Sequence, residues 1–253
     1  MANTIFLILV GSLVGASSGL LGSFMVLKRM SLVGDALSHV ALPGMAIALT
    51  FSLNPIVGAI MALTFAVFGI WYLGEKTEVY SEALVGVFFT ASLAMGILIT
   101  PEPELLEALF GNIENINLFD GLVTICGSIL IFFGAMKLSD RLLLGVVSED
   151  LARSMGVKMH KVNLAYLLLV GLVVALGVKF VGTLLTGALV IVPAVAAKNM
   201  TKSVRSFQIM SSVIGVASAA CGILVAQSLG VAPGPIVVLI SISAFLLSLL
   251  FKN

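Results

Sequence analysis

Nine charge-poor apolar segments succeed one another along the chain, at roughly 5–27, 36–53, 55–73, 83–100, 118–136, 162–178, 180–197, 206–230 and 235–251. Each is close to the ~17–25 residues that a helix needs to span a bilayer. Nothing else in the chain could cover them: with 60% hydrophobic and 10% charged residues over 253 positions, and a mean hydropathy of +1.22, there is too little polar surface for a soluble globule. The expected fold class is an all-α integral membrane protein, a polytopic bundle of eight to nine transmembrane helices. Nine holds if every segment crosses. Eight holds if 180–197, which carries Pro193, or 36–53, which carries Pro43, enters the membrane and returns. No long polar or Pro/Ser-rich linker divides the chain, so residues 1–253 read as a single transmembrane domain.

With every segment crossing, twelve of the thirteen Lys and Arg fall on one side, and Lys179 alone dissents. The side is defined by the loops holding Lys28 and Arg29, Lys76, the stretch from Lys137 to Lys161, the stretch from Lys198 to Arg205, and Lys252. The positive-inside bias makes that side cytoplasmic, with the C-terminus inside. Glu102, Glu104, Glu107 and Glu114 then face outward in a solvated loop. Lys28 and Arg29 follow the first apolar run instead of preceding it, and no small-residue cleavage site is evident, so the run is expected to stay as a span. Within it, Gly11, Gly15 and Gly19 form a flat stripe against which another helix can pack closely. Cys126 and Cys221 lie in separate apolar segments without metal or disulfide spacing and read as packing residues. His160, beside Lys158 and Lys161 with no acidic or cysteine partner, reads as an interfacial polar residue. A net charge of +1, without basic runs or interleaved aromatics, implies no nucleic-acid partner.

The stretch Gly34-Asp35-Ala36-Leu37-Ser38-His39-Val40-Ala41-Leu42-Pro43-Gly44 places a carboxylate and an imidazole in apolar surroundings. Ionisable groups at membrane depth are expensive and usually functional. At i and i+4, Asp35 and His39 share one helical face, where an oxygen and a nitrogen could meet one divalent cation. A helix running on from Lys28 and Arg29 would carry them roughly 10–16 Å into the bilayer. Pro43 lacks the N–H that would bond to the His39 carbonyl, and Gly44 adds freedom, so a helix break is expected beside the imidazole. Two ligands leave a cation under-coordinated, so a second copy of the chain, water or backbone carbonyls must complete the shell; a dimer around a central path would supply four. The bland alternative is that Asp35 caps a helix and His39 bonds to a neighbouring segment.

The second informative stretch runs from Ser148 to Val157 and reads as a short independent helix. Ser148 caps it, Glu149 and Asp150 occupy its first turn, and Gly156 ends it. Leu151 and Met155 then share an apolar face, with Ala152 beside them, which must dock either on the chain's own loops or on a soluble partner. The chain has no Gly-rich phosphate loop of the G-x-x-x-x-G-K-[ST] type, so it does not itself power transport.

In their order and spacing, five stretches together resemble the permease subunits of zinc and manganese ABC importers. These are Gly19-Leu20-Leu21-Gly22-Ser23-Phe24 followed by Lys28-Arg29-Met30-Ser31 and the Gly34–Gly44 stretch, Leu109-Phe110-Gly111-Asn112-Ile113, Glu149-Asp150-Leu151-Ala152 to Gly156-Val157, Val181-Gly182-Thr183-Leu184-Leu185 to Ile191-Val192-Pro193-Ala194, and Pro233-Gly234-Pro235. The resemblance implies an ABC importer permease fold akin to the siderophore and cobalamin permeases, in the plasma (inner) membrane of a prokaryote. It implies a paired permease, commonly a homodimer, with cytoplasmic ATPase subunits docked on a coupling helix at about 148–157 and an extracytoplasmic metal-binding protein. Asp35 and His39 match metal-coordinating positions, and the cargo would be zinc or manganese, with iron a further candidate. By the same resemblance the chain is a transport subunit and not an enzyme, holds no permanent cofactor, and leaves ATP to its partner. Similar proteins usually carry a further amphipathic stretch before the first span. The alternatives are a permease for metal chelates such as siderophores, and an ATP-independent secondary metal transporter. An intramembrane aspartyl protease fits poorly, since Leu32 stands where a G-x-G-D motif needs its first glycine.

Overall fold

Gly182 separates the apolar segments at 162–178 and 180–197 into two helices. Its φ of 86° lies where only glycine is comfortable, and it serves at once as the end of one helix and the start of the next. The computed structural model describes residues 2–77, 79–99 and 118–251, and within them the regular structure is helical throughout. The α-helices are α1 Ala2–Leu27, α2 Val33–Thr50, α3 Pro55–Lys76, α4 Ser81–Ile99, α5 Leu118–Val147, α6 Glu149–Ser154, α7 Met159–Val181, α8 Thr183–Met200, α9 Val204–Leu229 and α10 Pro233–Ser248. A short 3₁₀ turn, Leu249–Phe251, closes the described chain. Among the described residues eight helices, all but α6 and α8, are long and apolar enough to cross a membrane. The apolar part of α8, Leu185–Met200, falls short of that length. The Glu102–Glu114 loop, the 109–113 stretch and Lys252 lie outside the described residues.

Helix ends follow from local chemistry. Arg29 takes a left-handed φ of 59° and closes α1 in a Schellman motif, with Met30 N donating to Met25 O at 2.9 Å and Arg29 N to Val26 O at 3.2 Å. Ser52, at φ 54°, closes α2 in the same way through Leu53 N and Ala48 O. Asn54 caps α3 by accepting from Ile56 N at 2.9 Å, with Pro55 at the first helical position.

Packing is closest where glycines remove side chains. Gly15 and Gly215 face each other across α1 and α9, so that a Cβ on either would run into the other's carbonyl, and Gly19 meets Ser211 likewise. The expected glycine stripe therefore has its partner in α9. Gly44 and Gly58 do the same for α2 and α3. Around these seams one large apolar core joins α1, α2, α3 and α7, with Phe24, Leu37, Leu63 and Val170 among its buried members.

Two expectations need correction. Lys137, Asp140 and Arg141, assigned from sequence to a loop, ride on α5, whose 30 residues reach about 45 Å and so overrun the membrane. Ala135 and Leu142 are buried on one face of that extension, which holds it helical. Cys126 and Cys221 are free and exposed on the flanks of α5 and α9, so they do not pack the interior.

Lys179, the basic residue that broke the charge pattern, is neutralised at the bundle end opposite α6. Its Nζ lies 3.6 Å from Asp120 Oδ2, and Asn54 Nδ2 donates to Asp120 Oδ1 at 2.6 Å.

Candidate functional site

The site begins with how α2 starts. The Schellman corner at 28–30 folds the chain back along α1, and Val33 N bonds to Met30 O at 3.1 Å. Leu32 is the N-cap of α2 and makes no side-chain cap bond. Asp35 sits in the first turn, where the helix dipole favours a carboxylate. It forms no cap, so the bland reading does not account for it.

Contacts to α8 set the depth. Gly22 of α1 approaches the Val190 carbonyl so closely that no Cβ would fit. Gly187 lies one turn nearer the start of α8 and meets Asp35 in the same manner. Gly22 is six residues before Lys28, about 9 Å at helical rise, and the further turn brings Asp35 to roughly 13 Å from the level of Lys28.

Asp35 is exposed and His39 half-buried on the same flank of α2, whereas Leu37, Ser38, Val40 and Ala41 are buried behind them. The pair therefore opens on the surface of the chain. The His39 ring meets Phe89 of α4 edge-on, with centroids 5.3 Å apart at 67°. His39 Nδ1 is shielded from solvent and has no hydrogen-bond partner among the described residues. Between the two, the Ser38 hydroxyl lies 2.6 Å from the Asp35 carbonyl and 2.7 Å from the Thr183 carbonyl, tying the first turn of α2 to the start of α8. No group of three or more His, Cys, Asp or Glu able to hold a metal is gathered among the described residues. Within one protomer the candidate ligands are thus this carboxylate and this imidazole.

Pro43 does not break the helix as expected. α2 continues through it to Thr50. Gly44 is packed against Gly58, and Gly96 of α4 faces Leu42 and Pro43, so neither residue opens a gap beside His39.

At the other expected site, α6 spans Glu149–Ser154. Ser148 Oγ accepts from Leu151 N at 3.2 Å, and Gly156, at φ 79°, completes a Schellman motif with Val157 N on Ala152 O at 3.0 Å. Glu149 and Arg153 pair at 3.5 Å on the surface. Ala152 is buried, while Leu151 and Met155 are 47% and 63% exposed, so among the described residues their apolar face has nothing to dock on. Asp150 shares the first turn with Glu149 and is exposed.

Lys28, read from the sequence as a cytoplasmic boundary charge, turns out to pack against α7. Its Nζ donates to Asn163 Oδ1 at 2.9 Å and stands 5.3 Å from the Tyr166 ring centroid on α7. Burial pushes its ammonium below the usual lysine range, and Glu149 pulls it back. His160 is exposed at the start of α7, its carbonyl accepting from Trp71 Nε1 at 3.1 Å.

An outward-facing Asp/His pair on one helix and a capped, unpartnered helix at the bundle end narrow the comparison with known proteins. The ABC 3 transport family matches residues 2–252. The chain belongs to that family. It is 32% identical over 239 residues to the manganese import system permease protein ScaB of Streptococcus gordonii, covering 93% of this chain and 86% of that one. It is 30% identical over 251 residues to the high-affinity zinc uptake system membrane protein ZnuB of Buchnera aphidicola, covering 96% of each. The PsaBC structure from Streptococcus pneumoniae, solved with a Fab, superposes with a TM-score of 0.83 at 31% identity, over 95% of this chain and 88% of the other. An inward-facing metal-chelate type ABC transporter superposes with a TM-score of 0.76 at 20% identity, over 96% of this chain and 84% of its own, a likeness of fold alone. The all-helical architecture with eight candidate spans is thus that of an ABC transporter permease in a multi-pass membrane protein.

Proposed function

We propose that this chain is the membrane permease subunit of an ATP-driven importer of divalent manganese or zinc. The observation that carries the reading is the placement of Asp35 and His39, exposed and half-buried on one flank of α2 in a member of the ABC 3 transport family. Manganese and zinc import by the relatives supports the choice of cargo. A neutral imidazole and an ionised carboxylate suit both ions. Because the pair opens away from its own protomer, a second copy related by a two-fold axis would complete the shell with another Asp35 and His39. Pro43 and Gly44 hold α2 against α3 and α4 so that this flank stays presented.

The α6 end is cytoplasmic in this reading, because Lys28, Arg29, Lys76, Arg153, Lys158, Lys161 and Lys202 gather there. The C-terminus is then cytoplasmic and the membrane is the prokaryotic plasma membrane. A separate ATPase docks on the Leu151 and Met155 face, with Glu149, Asp150, Ala152 and Gly156 shaping the helix that carries it. An extracytoplasmic binding protein delivers the ion to the far side. The chain itself is a conduit, and the ATP chemistry belongs to its partner.

The test is ATP-dependent uptake of manganese and of zinc into vesicles holding this chain with its ATPase and binding protein, for the native chain and for Asp35→Ala/His39→Ala. Uptake lost in the double variant with assembly unchanged is the expected result. Undiminished uptake would reject the metal pair and favour a chelate as cargo.

A further inference from the structure

The strongest unexplained feature is a charged side chain held between the docking helix and the start of α2. Lys28 ends the turn after α1, five residues before Val33, yet its ammonium points back into the bundle to Asn163 and Tyr166 of α7. Tyr166 is fully buried, so the lysine cannot retreat further. α6 is tied to the start of α7 by the corner at Gly156, where Val157 N bonds to Ala152 O at 3.0 Å, and Asn163 is the fifth residue of α7. The corner that follows is stiff. Lys28 N bonds to Phe24 O at 2.8 Å, Met30 N to Met25 O, and Val33 N to Met30 O, around a left-handed Arg29. A displacement of Lys28 is therefore carried into the first turn of α2, where Asp35 stands.

The docking helix, by contrast, has room to move. A cavity of about 570 Å³ lies between the end of α3, the start of α4, α6 and α7. Glu149 and Arg153 of α6 line one side of it, and Asn163, the acceptor of Lys28, lines another. Only Ala152 of the six-residue helix is buried.

We propose that Lys28 is a positioning residue that couples α6 to the metal pair, its bond to Asn163 of α7 converting a tilt of α6 into a shift of the α1–α2 corner and of Asp35. The inference rests on the importer reading above and adds to it the route by which an ATPase reaches the ion site.

The experiment compares ATP hydrolysis and manganese or zinc uptake in the full complex in vesicles, for the native chain, Lys28→Met, which keeps the stem and removes the charge, and Lys28→Arg. In Lys28→Met, metal moved per ATP hydrolysed falls about tenfold while hydrolysis and metal binding by the detergent-solubilised complex persist, and Lys28→Arg restores most of the ratio. An unchanged ratio in Lys28→Met, loss of metal binding alongside it, or no rescue by arginine overturns the proposal. Should Lys28→Met fail to assemble, Asn163→Leu, which leaves the lysine and removes its acceptor, carries the same expectation and the same overturning results. A native complex that hydrolyses ATP and moves neither metal sinks the importer reading and this one with it. A native complex that moves metal, matched by Lys28→Met at the same ratio, sinks only the coupling role.

Discussion

Gly187 of α8 stands where a side chain would strike Asp35 of α2: a Cβ at Gly187 would fall 2.8 Å from the Asp35 Cβ and 3.0 Å from its Oδ1. The absence of a methyl group on one helix thus sets where the carboxylate on another can lie. Gly187→Ala should push Asp35 off its position while leaving α8 helical. Groups that orient a ligand typically change metal affinity about 10–100-fold when altered. Isothermal titration with manganese should show a loss in that range, and unchanged affinity would mean that the carboxylate is not a ligand.

Protons and metal compete for the same lone pair on His39. The imidazole ligates only when neutral, so occupancy is greatest above its titration range and is lost as pH falls through that range. Initial uptake rates should drop as the medium is acidified, with ATP hydrolysis retained. A flat profile would count against a histidine ligand.

Leu151 and Met155 project from a helix whose caps are intact, so charges there should leave the permease folded. Leu151→Glu with Met155→Glu is expected to abolish co-purification of the ATPase while the thermal stability of the permease alone changes by less than about 0.5 kcal/mol equivalent, as for other exposed positions. Retained co-purification would place the ATPase elsewhere.

The α1–α9 seam tolerates no bulk, since the obstacle facing Gly15 is the backbone carbonyl of Gly215. Backbone cannot swing aside as a side chain does, and Gly15→Leu should destabilise by at least about 1–3 kcal/mol, the usual range for overpacking. The melting temperature in detergent would report it, with Gly86→Leu on α4 as control, because nothing lies within 4 Å of that position.

Much of this fold is written locally. Span length and polarity located the crossing helices, the i, i+4 spacing placed Asp35 and His39 on one face, and Ser148 and Gly156 delimited α6 at both ends. These depend on neighbours along the chain. The support around the site does not. Lys28 meets Asn163 across 135 residues and Ser38 meets the Thr183 carbonyl across 145, contacts fixed only once α7 and α8 have packed. Pro43 misled because α2 runs through it unbroken to Thr50, and a lone proline does not show from sequence whether the helix around it continues. The extension of α5 was missed because Lys137, Asp140 and Arg141 look like a loop when their buried counterparts, Ala135 and Leu142, are not yet known to face inward.

The outward exposure of Asp35 bears on the fate of a subunit that finds no partner. A carboxylate open to hydrocarbon on the side of a lone protomer costs about 2.5–3.5 kcal/mol by insertion scales. That is a large part of what holds a small membrane protein together. In the proposed importer, a copy without its partner is therefore marked by the same residue proposed to meet the ion.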